Sequence, residues 1–258
     1  MHDDTTIAGV ALVTGAADRI GAAIARGLAA AGYKVVIHYR SSGDKARAVA
    51  SDIATANGIA ALVKADLARR DERGTLIARA AEAFGPLTVL VNNASLFEPD
   101  SIEDLDEALW DRHFAVHIEA PVFLSRDFAA RLPLGTPGNI VNIIDERVLH
   151  LSPAYFSYTL SKAALWDATR TLAQSLAPRV RVNAIGPGPT LPHAGQDEAA
   201  FRQSVESGLL QRGTSPEEIA AAVRFLIDTP SMTGQMLALD GGKHLDYRAG
   251  RAKTPRQP

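Results

Sequence analysis

The sequence contains no cysteine. Disulfides, thiolate metal sites and a cysteine nucleophile are therefore excluded. It has no apolar run long enough to cross a bilayer, so no membrane association is expected. Strong charge of either sign is missing too. A net charge of −2 gives no electrostatic reason to expect nucleic acid or an anionic lipid surface. The opening Met1-His2-Asp3-Asp4-Thr5-Thr6 is acidic and lacks the basic and apolar regions of a signal peptide, so a cytoplasmic protein is expected. His38, His113, His150, His193 and His244 show no metal-ligand spacing, and no metal is expected.

What is present is a chain of 258 residues with 47% apolar side chains, enough for a sizeable core in one large domain or two small ones. Short apolar runs rich in β-branched residues alternate with stretches of helical periodicity. Strands are expected at 10–13, 34–39, 60–63, 87–91, 139–144, 179–184 and 236–239. Helices are expected at 20–31, about 44–56, 71–84 and about 153–176, with two in succession over 105–131. Pro121 is allowed near the start of the second of these. Ser215-Pro216-Glu217-Glu218 reads as a capping box with proline at the first helical position. This alternation predicts an α/β fold with right-handed crossovers and a parallel, doubly wound sheet with helices on both faces. We expect one domain over 1–247. Residues 248–258 are basic, contain proline and lack apolar periodicity, so a disordered tail is expected there.

Thr14-Gly15-Ala16-Ala17-Asp18-Arg19-Ile20-Gly21 joins the first strand to the first helix. Gly15 permits a tight turn, Gly21 permits close helix–strand packing, and the free N–H groups of the helix end suit a pyrophosphate. Arg19 stands where the usual pattern has its middle glycine. The second strand ends Tyr39-Arg40-Ser41-Ser42, with no carboxylate until Asp44. An acidic residue there would favour NADH by bonding the ribose 2′-hydroxyl. Arg40, with Arg19 nearby, instead offers a guanidinium fork to a 2′-phosphate, and Ser41 adds a donor. NADPH is the expected cofactor.

Near the middle of the chain, Tyr158 and Lys162 lie four residues apart on one helix face. The lysine charge should favour the phenolate and lower the tyrosine pKa, giving a group that can exchange a proton near neutral pH. Asp145 ends the apolar run before them, so a strand end and a helix start converge on one pocket. A surface tyrosine and lysine sharing a helix face is the alternative for that pair alone. Residues 191–210, polar and rich in small side chains, read as a lid over the pocket. Trp110 and Trp166 are expected at helix contacts or an interface.

Taken in order, Thr14-Gly15 to Gly21, Asp66-Leu67, Asn92-Asn93-Ala94-Ser95, Tyr158 to Lys162, Pro187-Gly188 and Asp240-Gly241-Gly242 resemble the short-chain dehydrogenase/reductase family over nearly the whole chain. The resemblance implies a Rossmann-like sheet of about seven strands and a homotetramer packed through the helices at 105–131 and 153–176. It implies that Asp66 and Leu67 flank the adenine, that Asn93 and Ala94 wall the nicotinamide ribose, and that Pro187, Gly188 and Thr190 meet the carboxamide. Where most of that family has serine, this chain has Asp145. The chain resembles pteridine reductases in this, in Ala17-Asp18-Arg19-Ile20-Gly21, in His38-Tyr39-Arg40-Ser41 and in Asn93-Ala94-Ser95-Leu96-Phe97. Leu239-Asp240-Gly241-Gly242-Lys243-His244-Leu245 is similar to the bacterial dihydromonapterin/dihydrofolate reductases. His117 stands where the wider family has a catalytic asparagine, and is read as a structural histidine.

The resemblance implies hydride transfer from NADPH to a C=N bond of a dihydropterin. Tyr158 would supply the proton, Lys162 would hold the ribose and tune Tyr158, and Asp145 would position both partners. An ionised Asp145 repels a carbonyl oxygen but accepts from the N–H groups of a pterin edge. Ser95 would bond cofactor or substrate, and the Phe97 ring would stack on the flat substrate. Two rivals are carried: a reductase of ordinary carbonyls, and a non-catalytic NADPH-binding sensor.

Overall fold

Seven strands join in one sheet of order β3-β2-β1-β4-β5-β6-β7, every neighbouring pair parallel. They are β1 (Gly9–Val13), β2 (Tyr33–Tyr39), β3 (Ile59–Lys64), β4 (Val89–Asn92), β5 (Gly138–Ile143), β6 (Val180–Pro187) and β7 (Met236–Leu239). This computed structural model describes residues 8–193 and 195–245. The tail expected at 248–258 lies outside them. The α/β parallel sheet expected from the alternation is the one observed, with the seven strands and Rossmann-like order that the resemblance implies.

Why the sheet carries helices on both faces is visible in β1. Ala11 and Val13 point into one apolar layer, shared with α1 (Arg19–Ala30), α2 (Gly43–Thr55) and α8 (Pro216–Asp228). Val10 and Leu12 point into the other, shared with α3 (Arg70–Phe84) and α5 (Ala120–Arg131). A strand buried on both sides needs a continuous apolar run rather than alternation. Fully burying a leucine or isoleucine contributes about 1.5–3 kcal/mol, and Leu12, Ile24, Ile37, Leu76 and Leu90 are all fully buried.

The strand order places the site. β1 pairs with β2 on one side and β4 on the other, so the order of strand addition reverses at β1/β4 while all strands stay parallel, and a crevice opens at their carboxyl ends. Helix boundaries follow local chemistry. Asp18 caps α1 by accepting from the Arg19 N–H at 2.8 Å. Ser215 and Glu218 form the expected capping box at α8.

Four local features depart from the sequence expectation. β6 runs on to Pro187 instead of ending at Ala184, because β7 pairs with it through Pro187. The two helices expected over 105–131 are α4 (Glu107–Phe114) and α5, joined without a break by one π-helical turn, Ala115–Glu119. Next, α6 (Phe156–Leu176) starts later than expected, after Tyr155 in a left-handed conformation. Lastly, α7 (Glu198–Glu206) forms inside the segment read as a lid, capped by Asp197. Among the described residues, no helix is long and apolar enough to cross a membrane.

A polar seam crosses the buried centre of the sheet. Asn92 donates to the Asn142 side chain at 2.8 Å, and Asn142 donates to Thr169 at 2.9 Å. Asn142→Ala leaves the buried Asn92 amide N–H without its acceptor, which costs about 1–3 kcal/mol, while Thr169 keeps its bond to the Leu165 carbonyl. Urea unfolding should therefore show a lower midpoint at an unchanged m-value.

Candidate active site

One cleft of about 790 Å³ runs along the carboxyl edge of the sheet, from Arg40 at one end to Arg147 at the other. Its size suits a nucleotide with a small second ligand. It is shaped by the turn after β1, by the chain leaving β2, β3, β4, β5 and β6, and by residues between 191 and 204.

The turn after β1 is built by contacts no local pattern announces. Gly15 has φ +62°, and a Cβ there would lie 2.9 Å from the Ala94 Cα. A Cβ on Gly21 would lie 2.3 Å from the Gly15 carbonyl oxygen, so the start of α1 can close on the turn only as glycine. The Asn93 side chain donates to the carbonyls of Thr14 and Gly15 at 2.9 and 3.1 Å. Thr14 Oγ1 accepts from the Asn93 and Ala94 N–H groups at 2.9 and 3.0 Å. From β2, His38 Nδ1 accepts from the Gly15 N–H, and His38 Nε2–H donates to the Ala65 carbonyl, both at 3.0 Å. Burial pushes the His38 pKa down to about 4, so the ring is neutral and can accept.

Arg19, at φ 53°, does not reach toward Arg40 as expected. Its fork donates to the carbonyls of Pro192 and Leu191 at 2.9 and 3.2 Å, tying the turn to the lid. Arg40 is exposed on the cleft with Tyr39, Ser41 and Ser42, and no side-chain acceptor engages it among the described residues. Asp66 and Leu67 line the same half, Asp66 Oδ1 accepting from the Ala68 N–H at 3.0 Å. Pro187, Gly188 and Thr190 form the wall after β6. The Thr190 hydroxyl donates back to the Gly188 carbonyl at 3.0 Å.

At the other end, Tyr158 donates to Asp145 Oδ2 at 2.8 Å. Asp145 caps the 3-10 turn Glu146–Val148 through its Oδ1, which accepts from the Arg147 N–H at 2.9 Å. Lys162, one turn further along α6 and 2% exposed, donates to the Ile143 carbonyl at 2.9 Å. Three elements thus bring Asp145, Tyr158 and Lys162 together. Burial lowers the Lys162 pKa to about 8, with Asp145 opposing.

The expected lowering of the Tyr158 pKa is not found. Burial raises it well above the usual value, and the Asp145 charge and hydrogen bond raise it further. The Arg147 charge and a Ser95 hydrogen bond oppose the shift. Burial dominates, and the phenol is a firm donor to the carboxylate.

His117, in the π-helical turn, is fully engaged. Its Nε2 accepts from the Leu96 N–H at 3.0 Å, so its Nδ1–H donates to Ser161 at 2.8 Å. Burial drives its pKa well below the ordinary range. It is a neutral structural histidine, as read from the sequence. Its ring meets the Tyr158 ring edge-on at 5.2 Å.

Phe97, expected to stack on a ligand, stacks on Tyr155 at 4.3 Å and 14° and meets Tyr158 edge-on at 4.8 Å. Sequence reasoning missed Tyr155 and Arg147. Tyr155 is held left-handed at φ 59°, which a non-glycine residue rarely adopts. The signal available was its place between Pro153 and the start of α6. Nothing local marks Arg147, whose guanidinium lies 4.9 Å from the Tyr155 ring and 5.7 Å from that of Phe97.

Buried Lys162 uses one of its three N–H donors, a fit for hydroxyl acceptors of a ligand on the cleft floor. The glycine-shaped turn and the uncommitted Arg40 fit a phosphate-bearing nucleotide.

Residues 15–244 match the family described as enoyl-(acyl carrier protein) reductase. The chain is 50% identical to FolM alternative dihydrofolate reductase 1 from Brucella suis, solved in complex with NADP. That match has a TM-score of 0.91 and covers 93% of this chain and 97% of that one. It is 38% identical to a short-chain type dehydrogenase/reductase of Picea abies, over 91% of this chain and 92% of the relative. It is 34% identical to pteridine reductase 1 of Leishmania tarentolae, over 92% and 96% respectively.

The neutral His38 makes stability pH-dependent. Its folded pKa, about 4, lies below the ordinary histidine value of 6.5, so the unfolded chain binds the proton first as pH falls. Stability is full above 6.5 and falls by about 3 kcal/mol as pH approaches 4. His113 and His117, also shifted down, add in the same direction. Urea unfolding across that window checks this, and His38→Gln should flatten the slope by its share.

Proposed function

The chain belongs to the short-chain dehydrogenase/reductase family, and we propose that it works there as an NADPH-dependent reductase of a C=N bond in a dihydropterin. The single observation carrying the substrate reading is the 2.8 Å hydrogen bond between Tyr158 and Asp145. It puts a carboxylate, an acceptor, where reduction of a ketone calls for a donor. A pterin edge brings N–H donors to that carboxylate. A carbonyl oxygen meets repulsion there.

When bound, NADPH supplies the hydride for the carbon of the C=N bond. In our reading Tyr158 gives its proton to the nitrogen, so the bond becomes CH–NH. Asp145 orients the phenol and accepts from the pterin. Lys162 offers its remaining N–H donors to the ribose and holds positive charge beside the phenol. Ser95 and Phe97 line the ring. For the nucleotide, Gly15, Ile20 and Gly21 shape the pyrophosphate turn, with Arg19 bracing it. Tyr39, Arg40 and Ser41 take the 2′-phosphate, where two N–H donors of one guanidinium can meet two oxygens. Asp66 and Leu67 flank the adenine, Asn93 and Ala94 wall the ribose, and Pro187, Gly188 and Thr190 face the carboxamide.

Two finer parts of the proposal concern context. A homotetramer packed through α4, α5 and α6 is supported by Phe123 and Leu160, apolar residues each 39% exposed on those helices. A cytoplasmic location rests on the need for a reduced nucleotide.

NADPH oxidation with dihydrobiopterin, dihydromonapterin and dihydrofolate, set beside a panel of ketones, tests the reading. Turnover of ketones alone would sink it. Tyr158→Phe should lower kcat by about 10²–10⁴; unchanged turnover would favour a sensor. Asp145→Asn removes a charge that raises the Tyr158 pKa, so the alkaline limb of the pH–rate profile should move to lower pH.

A further inference from the structure

Cations in the cleft fall into two groups. Arg112 is paired with Glu98 at 3.0 Å, Lys243 with Glu146 at 2.8 Å, and Arg19 with two lid carbonyls. Lys162 lies on the floor against Ile143. Two guanidiniums donate no side-chain hydrogen bond among the described residues, one at each end. Arg40 stands at the nucleotide end. Arg147 stands beside the Tyr158–Asp145 pair.

The position of Arg147 is well defined. Its own backbone N–H caps onto Asp145, which fixes where the side chain starts. Its guanidinium lies over the Tyr155 and Phe97 rings, a cation–π arrangement that leaves the N–H edges of the fork free. The nearest carboxylate oxygen is Asp145 Oδ1, 3.9 Å from Nε, beyond hydrogen-bond range. That carboxylate is already taken by the Tyr158 hydroxyl and a backbone N–H. The side chain is only 24% exposed. A planar fork with five donors, largely withdrawn from water and without an acceptor, is built for a planar anion.

We propose that Arg147 is a specificity-determining residue that receives an acidic group on the substrate's side chain, so that the preferred substrate is an anionic dihydropterin over one with a neutral, hydroxylated side chain. The inference rests on the pterin reading above and names the substrate class within it. Tyr155 completes this subsite, its ring lying 4.9 Å from the guanidinium carbon. Its backbone is left-handed and its ring stacks on Phe97.

The test uses the full chain and saturating NADPH. Dihydrofolate, whose side chain ends in carboxylates, is compared with dihydrobiopterin, whose side chain is neutral. The unaltered chain should show the higher kcat/KM for dihydrofolate. Arg147→Met keeps an unbranched chain over the rings and removes the charge. It should lower the dihydrofolate-to-dihydrobiopterin ratio about tenfold or more, through KM for dihydrofolate. The ratio cancels any loss through Asp145 that both substrates share. Arg147→Lys should recover part of it. On the unaltered chain, added salt should raise KM for dihydrofolate more than for dihydrobiopterin. A preference for dihydrobiopterin, an unmoved ratio in Arg147→Met, or a flat salt response overturns this inference and leaves the pterin reading standing. Reduction of neither dihydropterin overturns both.

Discussion

The hydrogen bond between Tyr158 and Asp145 is the constraint around which the rest of the site is arranged. It closes only if the end of β5, the short turn after it and the first turn of α6 arrive at one point. Each has its own anchor. β5 lies between β4 and β6, its residues buried except for half-buried Asn139. The turn is capped by Asp145 itself. The start of α6 is pinned by Asp100, which accepts from the Ser157 N–H at 3.1 Å and from the Ser157 hydroxyl. A phenol made weakly acidic by burial then faces a carboxylate, with a buried lysine on its far side whose own charge is held less tightly than usual.

Burial gives this cluster its sensitivity. In a low-dielectric site, one added or removed charge moves every neighbour's protonation by more than it would in water. The depressed lysine and the elevated tyrosine are two faces of that effect. A carboxylate in place of a hydroxyl changes the site from one that donates to a substrate into one that accepts from it. Such a change alters which substrates fit while leaving the nucleotide half untouched.

Much of the architecture was legible in the sequence because parallel strands buried on both faces leave continuous apolar runs, and because turns at phosphate sites demand glycine at fixed places. Gly15 and Gly21 announce themselves, since any side chain there would collide with Ala94 or with the turn. The capping box at Ser215 is equally local. What stayed hidden depends on residues far apart in the chain. The fork of Arg19 meets carbonyls at 191 and 192. His38 serves a glycine on another strand's turn. The continuous passage from α4 to α5 lies against α6, and the left-handed Tyr155 stacks on Phe97, contacts that local sequence preference does not announce. The raised tyrosine pKa is hidden for the same reason: spacing reveals the lysine nearby, but not how little water reaches the phenol.

The grip of Arg19 on the lid has a mechanical corollary. One side chain joins the turn after β1 to Leu191 and Pro192, so parting those two segments breaks both of its hydrogen bonds at once. The segment 191–210 is thereby tethered at its first two residues to the turn that opens α1.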